Sequence, residues 1–558
     1  MSAWHALALL LAVGAAFLLH ENRGTTLWID EWSWAFERRG NDVETFLEPH
    51  NEHLSLIPLV LYKLLFATAG LDDYLPYRAM GITAHLTCVA LLFVYARRHV
   101  GGFAALLAAA LILFLGPAWQ NILWPFQVGS LVSIAAGVGA FLLLDRGDRT
   151  GDAGACGLLA VSLASSGIGL PILAGLIVEV AYGRRRFKDA WIVAAPLAVY
   201  ALWWLAFQET ALVRHNVVVA PGFVADAAAG VLSSFAGLGG TITDENSQTL
   251  GWGRPLAVAA AALLAWRLAQ IRPIPPRIVA LLTILIAFWV STALRRAQIS
   301  TPVEGRYVYD GGVFVVLLAA ELLRGVVLSR RVAAVAAGAV AVAVLSNLGD
   351  MRDGGRFLRT QAEAARAVLG ALELARPAVT PDHVAVAFPG YPFLVVRAGS
   401  YFDAARAYGS PAATPAELAA SPGDARLAAD AELSRIHRVA LRPSAAHPAL
   451  GAAPAVEAVA GGTADERGAC IAFRPRPASP AAVAELQLQL PAAGVLLIAR
   501  DGPATVAVRR FADAFPEQPQ ATLPPATPAA MRIDRDGATQ PWHLRVASTG
   551  RLTACGLG

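Results

Sequence analysis

The chain has 558 residues, of which 56% are hydrophobic and 15% are charged, and its mean hydropathy is +0.52. Such a composition excludes an ordinary soluble protein and indicates a polytopic membrane protein. The net charge is +4, but the basic residues are scattered near predicted helix ends rather than gathered on one face, which argues against nucleic-acid binding.

Eleven apolar segments are predicted to cross the bilayer, since a span needs roughly 20 apolar residues and tolerates somewhat fewer. They are 3–20, 76–96, 101–117, 126–144, 154–166, 168–182, 190–207, 253–270, 278–294, 311–328 and 332–348. The first has no Lys or Arg before it and no A-x-A site after it, so we interpret it as a retained helix rather than a signal peptide. The runs 54–69 and 222–240 are interpreted as helices lying at the interface.

The distribution of Lys and Arg predicts the orientation, because basic loops stay on the cytoplasmic side. The basic loops on one predicted side are Arg97-Arg98, 145–149, 184–188, 267–277 and Arg330-Arg331. The N-terminus is then inside, and the loops 21–75 and 208–252 and everything after Leu348 are outside. Arg295 and Arg296 are the main misfit, because they would also lie outside.

The loop after the first span contains Asp30-Glu31, flanked by Trp28, Trp32 and Trp34. Acidic side chains are expensive at bilayer depth, so we expect them at a membrane face or in a watery cavity. The indole rings suit an interface. A carboxylate pair of this kind suits acid–base or metal chemistry, and the alternative is a solvated loop start that only ends the first helix.

A second polar cluster follows in the same loop, His50-Asn51-Glu52-His53. Imidazole and carboxylate groups are good ligands for zinc or manganese. A divalent metal held by Asp30 and His53 is therefore one interpretation, and substrate contact through His50, Glu52 and His53 is another. A polar cap for the helix 54–69, with Asn51 or His53 at its boundary, has equal weight.

Two arginines are candidates for holding a lipid phosphate, because guanidinium pairs its N–H groups with phosphate oxygens. Arg78 lies at the outer end of a span, and Arg306 with Tyr307 lies outside, just before the tenth span. Snorkelling and an interfacial aromatic belt explain the same residues without a ligand. The belt is also the favoured interpretation of the loop 119–127, although its aromatic and amide side chains would suit a sugar.

From Asp350 the composition becomes more polar. We predict a transmembrane domain 1–349, an extracytoplasmic α/β connector 350–465 and a β-sandwich-like domain 466–558. Strands are predicted at 384–398, 469–474, 485–490, 494–499, 504–509 and 541–547, whereas the Ala/Pro-rich stretch 410–465 reads as loop or linker. Cys470 and Cys555 are predicted to form a disulfide, since both lie in the domain placed outside.

The N-terminal residues resemble a known family. An apolar helix is followed by Asp30-Glu31, a gap of roughly twenty residues, a His-led motif that opens an apolar helix ending L-F-A-T-A-G, and an arginine starting the next span. This resembles the N-terminal module of GT-C glycosyltransferases, in particular the protein O-mannosyltransferase and aminoarabinose transferase branch, over residues 3–210. A later cytoplasmic hairpin, Ser162 to Lys188, also agrees.

The resemblance implies a polytopic α-helical GT-C-like fold and a transferase that uses a polyprenyl-phosphate-linked sugar at the outer face of the cytoplasmic membrane. Asp30 matches the family's catalytic carboxylate and Glu31 its acidic neighbour. The sequence departs from the family's H-P-P-L motif at Asn51-Glu52, and it lacks the Lys often found in the hairpin break, here 165–167. These departures bear on the acceptor, metal usage and donor handling.

The function predicted from the sequence is transfer of a sugar from a polyprenyl-phosphate donor to an extracytoplasmic glycan, lipid or protein. The partners are this donor and membrane lipid. The first alternative is a non-catalytic scaffold or polysaccharide-export partner that kept the fold. A transporter is the second, and it is disfavoured because the predicted spans are nearly free of charge, apart from Glu179 and Glu321 near their cytoplasmic ends.

Overall fold

The computed structural model describes residues 2–183, 187–207, 214–242, 247–387, 395–444, 448–476, 483–534 and 536–558. The chain forms two compact units, Met1–Arg359 and Thr360–Gly558. The predicted basic residues 184–186 and the middle of the predicted strand 384–398, residues 388–394, lie outside the described residues.

The described part of the first unit is almost entirely helical. Its helices are α1 (Ala3–Glu21), α2 (Asp30–Glu37), α3 (Val43–Leu47), α4 (Leu56–Thr68), α5 (Leu75–Leu113), α6 (Trp119–Leu123), α7 (Val128–Leu144), α8 (Arg149–Ser165), α9 (Gly169–Tyr182), α10 (Trp191–Phe207), α11 (Arg214–Ala236), α12 (Gly253–Gln270), α13 (Pro276–Arg296), α14 (Gly305–Leu322) and α15 (Arg330–Leu374), which continues into the second unit. The short strands β1 (Thr241–Ile242) and β2 (Ser247–Gln248) form an antiparallel pair.

The chain is an integral membrane protein, as its composition indicates. Within the described ranges, six helices are long and apolar enough to cross a membrane. They are α1, α5, the helix over Pro125–Leu144, α11, α13 and α15. The count of eleven spans is therefore not confirmed by length and composition.

Two predicted spans, 76–96 and 101–117, are parts of the single element α5, which has non-helical backbone at Gly101. The φ of Gly101 is 80°, in the left-handed region that only glycine enters at little cost. The chain therefore bends there, and the second limb packs its end beside the first, with Nε2 of His85 lying 3.3 Å from the carbonyl oxygen of Leu113.

Ion pairs gather the helix ends that the charge bias assigns to one side of the membrane. Arg277 at the start of α13 pairs with Glu179 of α9 at 2.5 Å and with Asp145 after α7 at 2.9 Å. Arg98 of α5 also pairs with Asp145, at 3.2 Å. On α14, Glu321 accepts a hydrogen bond from Tyr95 at 2.7 Å. We call this group of helix ends the basic end of the first unit.

Helix α11 begins eight residues before the predicted run 222–240. Both ends of α11 contact the end of the first unit that lies opposite the basic end. Near its start, Asn216 donates to the carbonyl oxygen of Leu294 at 2.9 Å, near the end of α13. Near its finish, the carbonyl oxygen of Ser234 accepts from Asn347 at 3.1 Å. A helix whose two ends meet the same end of the bundle suits the predicted interfacial position, although its length would also allow a span.

The described part of the second unit contains three α-helices after α15 and two larger sheets. Its helices are α16 (Ala398–Tyr408), α17 (Pro415–Ala420) and α18 (Gly423–Ile436). Its strands are β3 (Val384–Ala385), β4 (Val396–Arg397), β5 (Arg442–Pro443), β6 (Val456–Ala460), β7 (Gly462–Arg467), β8 (Cys470–Pro475), β9 (Ala484–Gln489), β10 (Val495–Ala499), β11 (Ala504–Arg509), β12 (Ala521–Leu523), β13 (Ala529–Met531), β14 (His543–Ser548) and β15 (Leu552–Gly556). Strands β3 and β4 pair with each other, apart from the larger sheets.

One larger sheet has the order β5-β13-β10-β15-β8-β7 and the other β12-β11-β14-β9-β6, with antiparallel pairing throughout. Burial alternates along β9 and β14, so their sheet has one buried face. The five strands predicted after residue 466 are present within two residues of their predicted ends. The loop interpretation of 410–465 is wrong, because α17, α18, β6 and β7 lie there. Packing of the sheets as a sandwich stays a prediction.

The predicted disulfide is confirmed. Cys470 in β8 and Cys555 in β15 face each other across the ladder and are bonded through their sulfur atoms. The free cysteines Cys88 and Cys156 lie in helices of the first unit. The bridge therefore links two neighbouring strands of the same sheet, β8 and β15.

Candidate active site at one end of the helical unit

The segment before Asp30 packs into an aromatic core. Trp28 is 2% exposed and contacts Trp124 with ring centroids 4.8 Å apart. Trp34 is equally buried and packs against Phe126 at 4.7 Å and Tyr62 at 4.9 Å. The placement of these tryptophans at a membrane interface is therefore wrong, because the protein itself buries them.

The loop 119–127, predicted as an interfacial belt, belongs to the same core. Trp119 and Trp124 are 1% and 2% exposed, and Gln120 is buried as well. The loop therefore supports α2 from behind instead of offering aromatic side chains to lipid or sugar.

Asp30 is the first residue of α2, where the helix dipole favours a negative charge. Its carboxylate is 24% exposed. Oδ1 accepts a hydrogen bond from the amide of Asn51 at 3.2 Å and lies 3.6 Å from Nε2 of His50. Burial raises the pKa of Asp30, but its interactions with His50 and Asn51 outweigh that effect, so the pKa is lower than usual and the group is ionised at neutral pH.

The second polar cluster folds into a tight turn. The N–H of His50 donates to the carbonyl oxygen of His53 at 3.0 Å, and the N–H of His53 donates back at 2.9 Å. Between them Asn51 and Glu52 have φ values of 49° and 69°, as in the type I′ turn that closes hairpins. The capping role expected for Asn51 or His53 is wrong, because the residue at the N-cap of α4 is Ser55.

Two arginines that do not fit the predicted charge bias contact this turn. Arg296, at the end of α13, donates to the carbonyl oxygen of Asn51 at 2.8 Å. Arg295 and Arg296 lie 3.5 Å and 3.8 Å from a carboxylate oxygen of Glu52. Their position against the positive-inside bias is the signal that could have identified them as functional candidates.

His53 lies at the base of the turn, directly beside Gly167. A Cβ at Gly167 would stand 2.5 Å from Nδ1 of His53. The break at 165–167 therefore belongs to the same end of the unit as the site, and the side of the membrane on which this end lies stays a prediction. Burial and the positive charges of Arg296 and Arg295 lower the pKa of His53 to about 3, so this imidazole is neutral at physiological pH.

Arg306 adds a third guanidinium. Its Nη2 lies 2.8 Å from a carboxylate oxygen of Glu304 and donates to Ser300 at 3.3 Å, and its guanidinium lies 5.3 Å from the ring centre of Tyr307. The charge of Arg306 acts on Asp30. Among the described residues, its Nε has no hydrogen-bond partner although it is buried, and the same holds for Nε2 of His50.

Arg78 is engaged elsewhere. Its Nη1 donates to the carbonyl oxygen of Asn22 at 3.0 Å, just past the end of α1. Of the candidates from the sequence, the structure thus brings together Asp30, His50, Glu52, His53 and Arg306, with Tyr307 stacked on the last. Arg78 contacts the end of α1 instead of this cluster, and its binding of a phosphate stays a prediction.

Glu31 points away from this cluster into the aromatic core and is 0% exposed. Its carboxylate accepts hydrogen bonds from Tyr62 at 2.5 Å, from Tyr74 at 2.8 and 2.9 Å, from Trp124 at 3.0 Å and from the backbone N–H of Trp28 at 2.7 Å. Burial raises the pKa of Glu31 to about 7 despite these donors. The role of Glu31 as a catalytic group in contact with substrate is therefore not supported.

A divalent metal does not fit this arrangement. Within the described ranges, no group of three or more His, Cys, Asp or Glu side chains is placed to hold one. His53 and Asp30 are both under the influence of Arg306, and His53 is also under that of Arg295 and Arg296. A metal cation there would be repelled by the positive charges of these arginines, so we assign no step to a metal.

The comparisons with known proteins give solved structures only. No family model matches the sequence, and no curated protein matches it significantly. ArnT from Cupriavidus metallidurans is 13% identical in its apo structure, with a TM-score of 0.43, and 14% identical in the structure bound to undecaprenyl phosphate, with a TM-score of 0.41. Each alignment covers 69% of this chain and 82% of ArnT.

The arabinosyltransferase EmbB from Mycobacterium smegmatis is 14% identical with a TM-score of 0.34, over 98% of this chain and 63% of EmbB. Identities and TM-scores of this size assign no substrate and no site. The chain is similar to these solved structures, and its resemblance to GT-C glycosyltransferases rests on the motifs in its first 210 residues.

Proposed function

We propose that the chain is a membrane glycosyltransferase that moves a sugar from a polyprenyl-phosphate donor to a hydroxyl of an extracytoplasmic acceptor. The observation that carries the proposal is the convergence of one ionised carboxylate, Asp30, with the guanidinium groups of Arg295, Arg296 and Arg306 around the His50–His53 turn. Transfer from a lipid phosphate needs a base for the acceptor and positive charge for the leaving phosphate.

Asp30 is the proposed base. It accepts the proton of the acceptor hydroxyl while the oxygen attacks the anomeric carbon, and the bond from that carbon to the phosphate oxygen breaks with its electron pair. The low pKa keeps Asp30 ready to accept but makes it a weak base. A weak base suffices when the hydroxyl becomes acidic only as the new bond forms.

The arginines are the proposed phosphate site. Arg295 donates a long, weak hydrogen bond of 3.5 Å to Glu52, and Arg296 lies 3.8 Å from the same carboxylate oxygen, so a phosphate could compete for both arginines. The buried Nε of Arg306 and Nε2 of His50, which have no hydrogen-bond partner among the described residues, would also be satisfied by an anion. The distribution of Lys and Arg predicts the orientation of the chain in the membrane, and we place the site on the extracytoplasmic side accordingly.

The test compares Asp30→Asn with Asp72→Asn, an exposed aspartate of the same loop. Lipid-linked sugars and surface glycans are measured by mass spectrometry in cells carrying each variant or no protein. We expect Asp30→Asn to match the cells without the protein and Asp72→Asn to match the wild type. Wild-type glycans with Asp30→Asn at normal protein levels would favour a non-catalytic scaffold.

Phosphate binding is tested separately with purified protein and undecaprenyl phosphate as the probe. Replacing both Arg295 and Arg296 by Gln should weaken binding at least about tenfold, because charge-assisted hydrogen bonds contribute roughly 1.5–3 kcal/mol each. Arg254, which pairs with Asp226 on the surface, provides the control substitution to Gln. Equal binding by all three proteins would contradict the phosphate site.

A further inference from the structure

Glu31 joins four separate segments of the first unit. Its donors are the backbone of Trp28 before α2, Tyr62 of α4, Tyr74 before α5 and Trp124 after α6. Each of these segments borders the aromatic core behind Asp30. The carboxylate of Glu31 is thus a common anchor for parts of the chain up to 93 residues away from it in sequence.

The hydrogen-bonding capacity of Glu31 is already used. An ionised carboxylate only accepts, and its two oxygens offer about four lone-pair sites. Five donor contacts fill them, counting both contacts of Tyr74. The side chain is also fully buried, so it has neither the access nor the free lone pair needed to take a proton from a substrate.

Backbone strain couples Glu31 to Asp30. Ile29 lies between the anchored N–H of Trp28 and Asp30, with φ 33° and ψ −102°. Positive φ is a genuine outlier for a β-branched residue, so the surroundings must hold it in place. The carboxylate of Glu31 does so from one side, since it binds the N–H of Trp28 at 2.7 Å.

We propose that Glu31 is a positioning residue for Asp30: its buried carboxylate holds the strained turn at Ile29 and thereby directs the Asp30 carboxylate to His50 and Asn51. The inference rests on the proposed function of Asp30. Loss of the anchor would let the turn relax and carry Asp30 away from its partners. Displacement of a reacting group by about 1 Å can lower a rate on the order of 100-fold.

The experiment uses the full-length protein with Glu31→Gln. This change keeps the size of the side chain but places an amide donor against groups that all donate. We expect the rate of glycan transfer per folded molecule to fall about 100-fold, while affinity for undecaprenyl phosphate changes less than about threefold, because the proposed phosphate site lies on other elements. Tyr62→Phe removes one donor, keeps the carboxylate, and should cause a smaller loss of rate.

The matched control is Glu321→Gln. Glu321 is also a buried carboxylate that accepts from a tyrosine, Tyr95, and lies beside a histidine, His99, but it lies at the basic end. Its replacement should lower the melting temperature without changing the transfer rate per folded molecule. If Glu31→Gln behaves in the same way, Glu31 only stabilises the fold and the positioning role is overturned.

The pH dependence of the transfer rate distinguishes a positioning role from a purely structural role, because a purely structural role would not change it. The groups facing Glu31 are the phenols of Tyr62 and Tyr74, with Tyr77 and Arg78 behind them. Burial raises the pKa of Tyr62 and of Tyr74, so both stay protonated and continue to donate. Protonation of Glu31 itself, with a pKa of about 7, should lower the wild-type rate below that pH, and Glu31→Gln should lose this inflection.

The outcomes separate this inference from the proposed function. An active Asp30→Asn overturns both. An inactive Asp30→Asn together with a Glu31→Gln of normal rate and unchanged pH profile overturns the positioning role alone. A loss of undecaprenyl phosphate binding in Glu31→Gln equal to its loss of rate would also overturn it, because the whole site would then have been disrupted.

Discussion

Gly167 lies against the imidazole of His53, so closely that a Cβ on residue 167 would stand 2.5 Å from Nδ1 and 2.7 Å from Cε1. The two residues are far apart in sequence, and their contact joins the break between α8 and α9 to the His50–His53 turn. The glycine is required by this close approach, since no positive φ is involved.

Gly167→Ala should therefore push His53 and its turn away from Asp30 and lower glycan transfer about tenfold or more, because small displacements of reacting groups are costly. Gly157→Ala is the control: a Cβ there meets nothing within 4 Å, and alanine in a helix stabilises by about 0.5–1 kcal/mol relative to glycine. Transfer rates and melting temperatures measured for both variants test the contact. A fully active Gly167→Ala would show that the turn is not needed in this position.

Stability should respond to pH in opposite directions at Asp30 and Glu31. The pKa of Glu31 is raised by burial from 4.5 to about 7, so the folded state binds a proton more tightly than the unfolded state. Its contribution to the free energy of unfolding is then largest below pH 4.5 and falls by roughly 3 kcal/mol as the pH rises to 7. The pKa of Asp30 is lowered in the folded state, so Asp30 contributes to the free energy of unfolding at pH values above its unfolded pKa. This contribution is lost as the pH falls through the folded pKa.

Melting temperatures between pH 4.5 and 8 in wild type and Glu31→Gln measure the Glu31 contribution. The wild type should lose stability between pH 4.5 and about 7 and little above it, and Glu31→Gln should show a flatter dependence, since its amide does not titrate. Parallel curves for the two proteins would mean that Glu31 is ionised throughout.

The disulfide should stabilise the second unit. Cys470 and Cys555 are 85 residues apart in sequence, and a bridge closing a loop of this length contributes roughly 4 kcal/mol on the chain-entropy model. Replacing both cysteines by Ser should therefore lower the melting temperature of this unit and make it independent of reducing agent. Replacement of Cys88 and Cys156, which are free thiols, should leave the sensitivity to reducing agent intact.

The two ends of the first unit should label from opposite sides of the membrane. Val327, between α14 and α15, is 93% exposed, and Val43, at the start of α3, is 71% exposed. In Val327→Cys and Val43→Cys proteins, a membrane-impermeant thiol reagent applied to whole cells should modify only the second. In a Ser400→Cys protein, the reagent should modify the new cysteine from outside, as it does in Val43→Cys. Modification of Val327→Cys from outside would reverse the orientation.

The sequence by itself determined the class of the protein and many of its elements. Apolar runs of membrane-spanning length and the alternation of strands follow from local composition, so α1, α12 and α13 and the strands β8 to β11 lie within two residues of their predicted ends. The Cys470–Cys555 bridge was also predictable, because compartment and the choice of cysteines left few pairings. Asp30 and the His50–His53 cluster were found from their polar residues in an apolar chain.

Only the tertiary structure decided how these groups are used. Asp30 and Glu31 are adjacent in sequence, but successive side chains of a helix point in different directions, so one faces the arginines and the other is buried among tyrosines and tryptophans. Arg295 and Arg296 join the site from more than 240 positions away, and the same packing buries Trp28 and Trp124 in the protein instead of lipid. Local patterns carry no information about such long-range contacts, which arise when separate helices pack together.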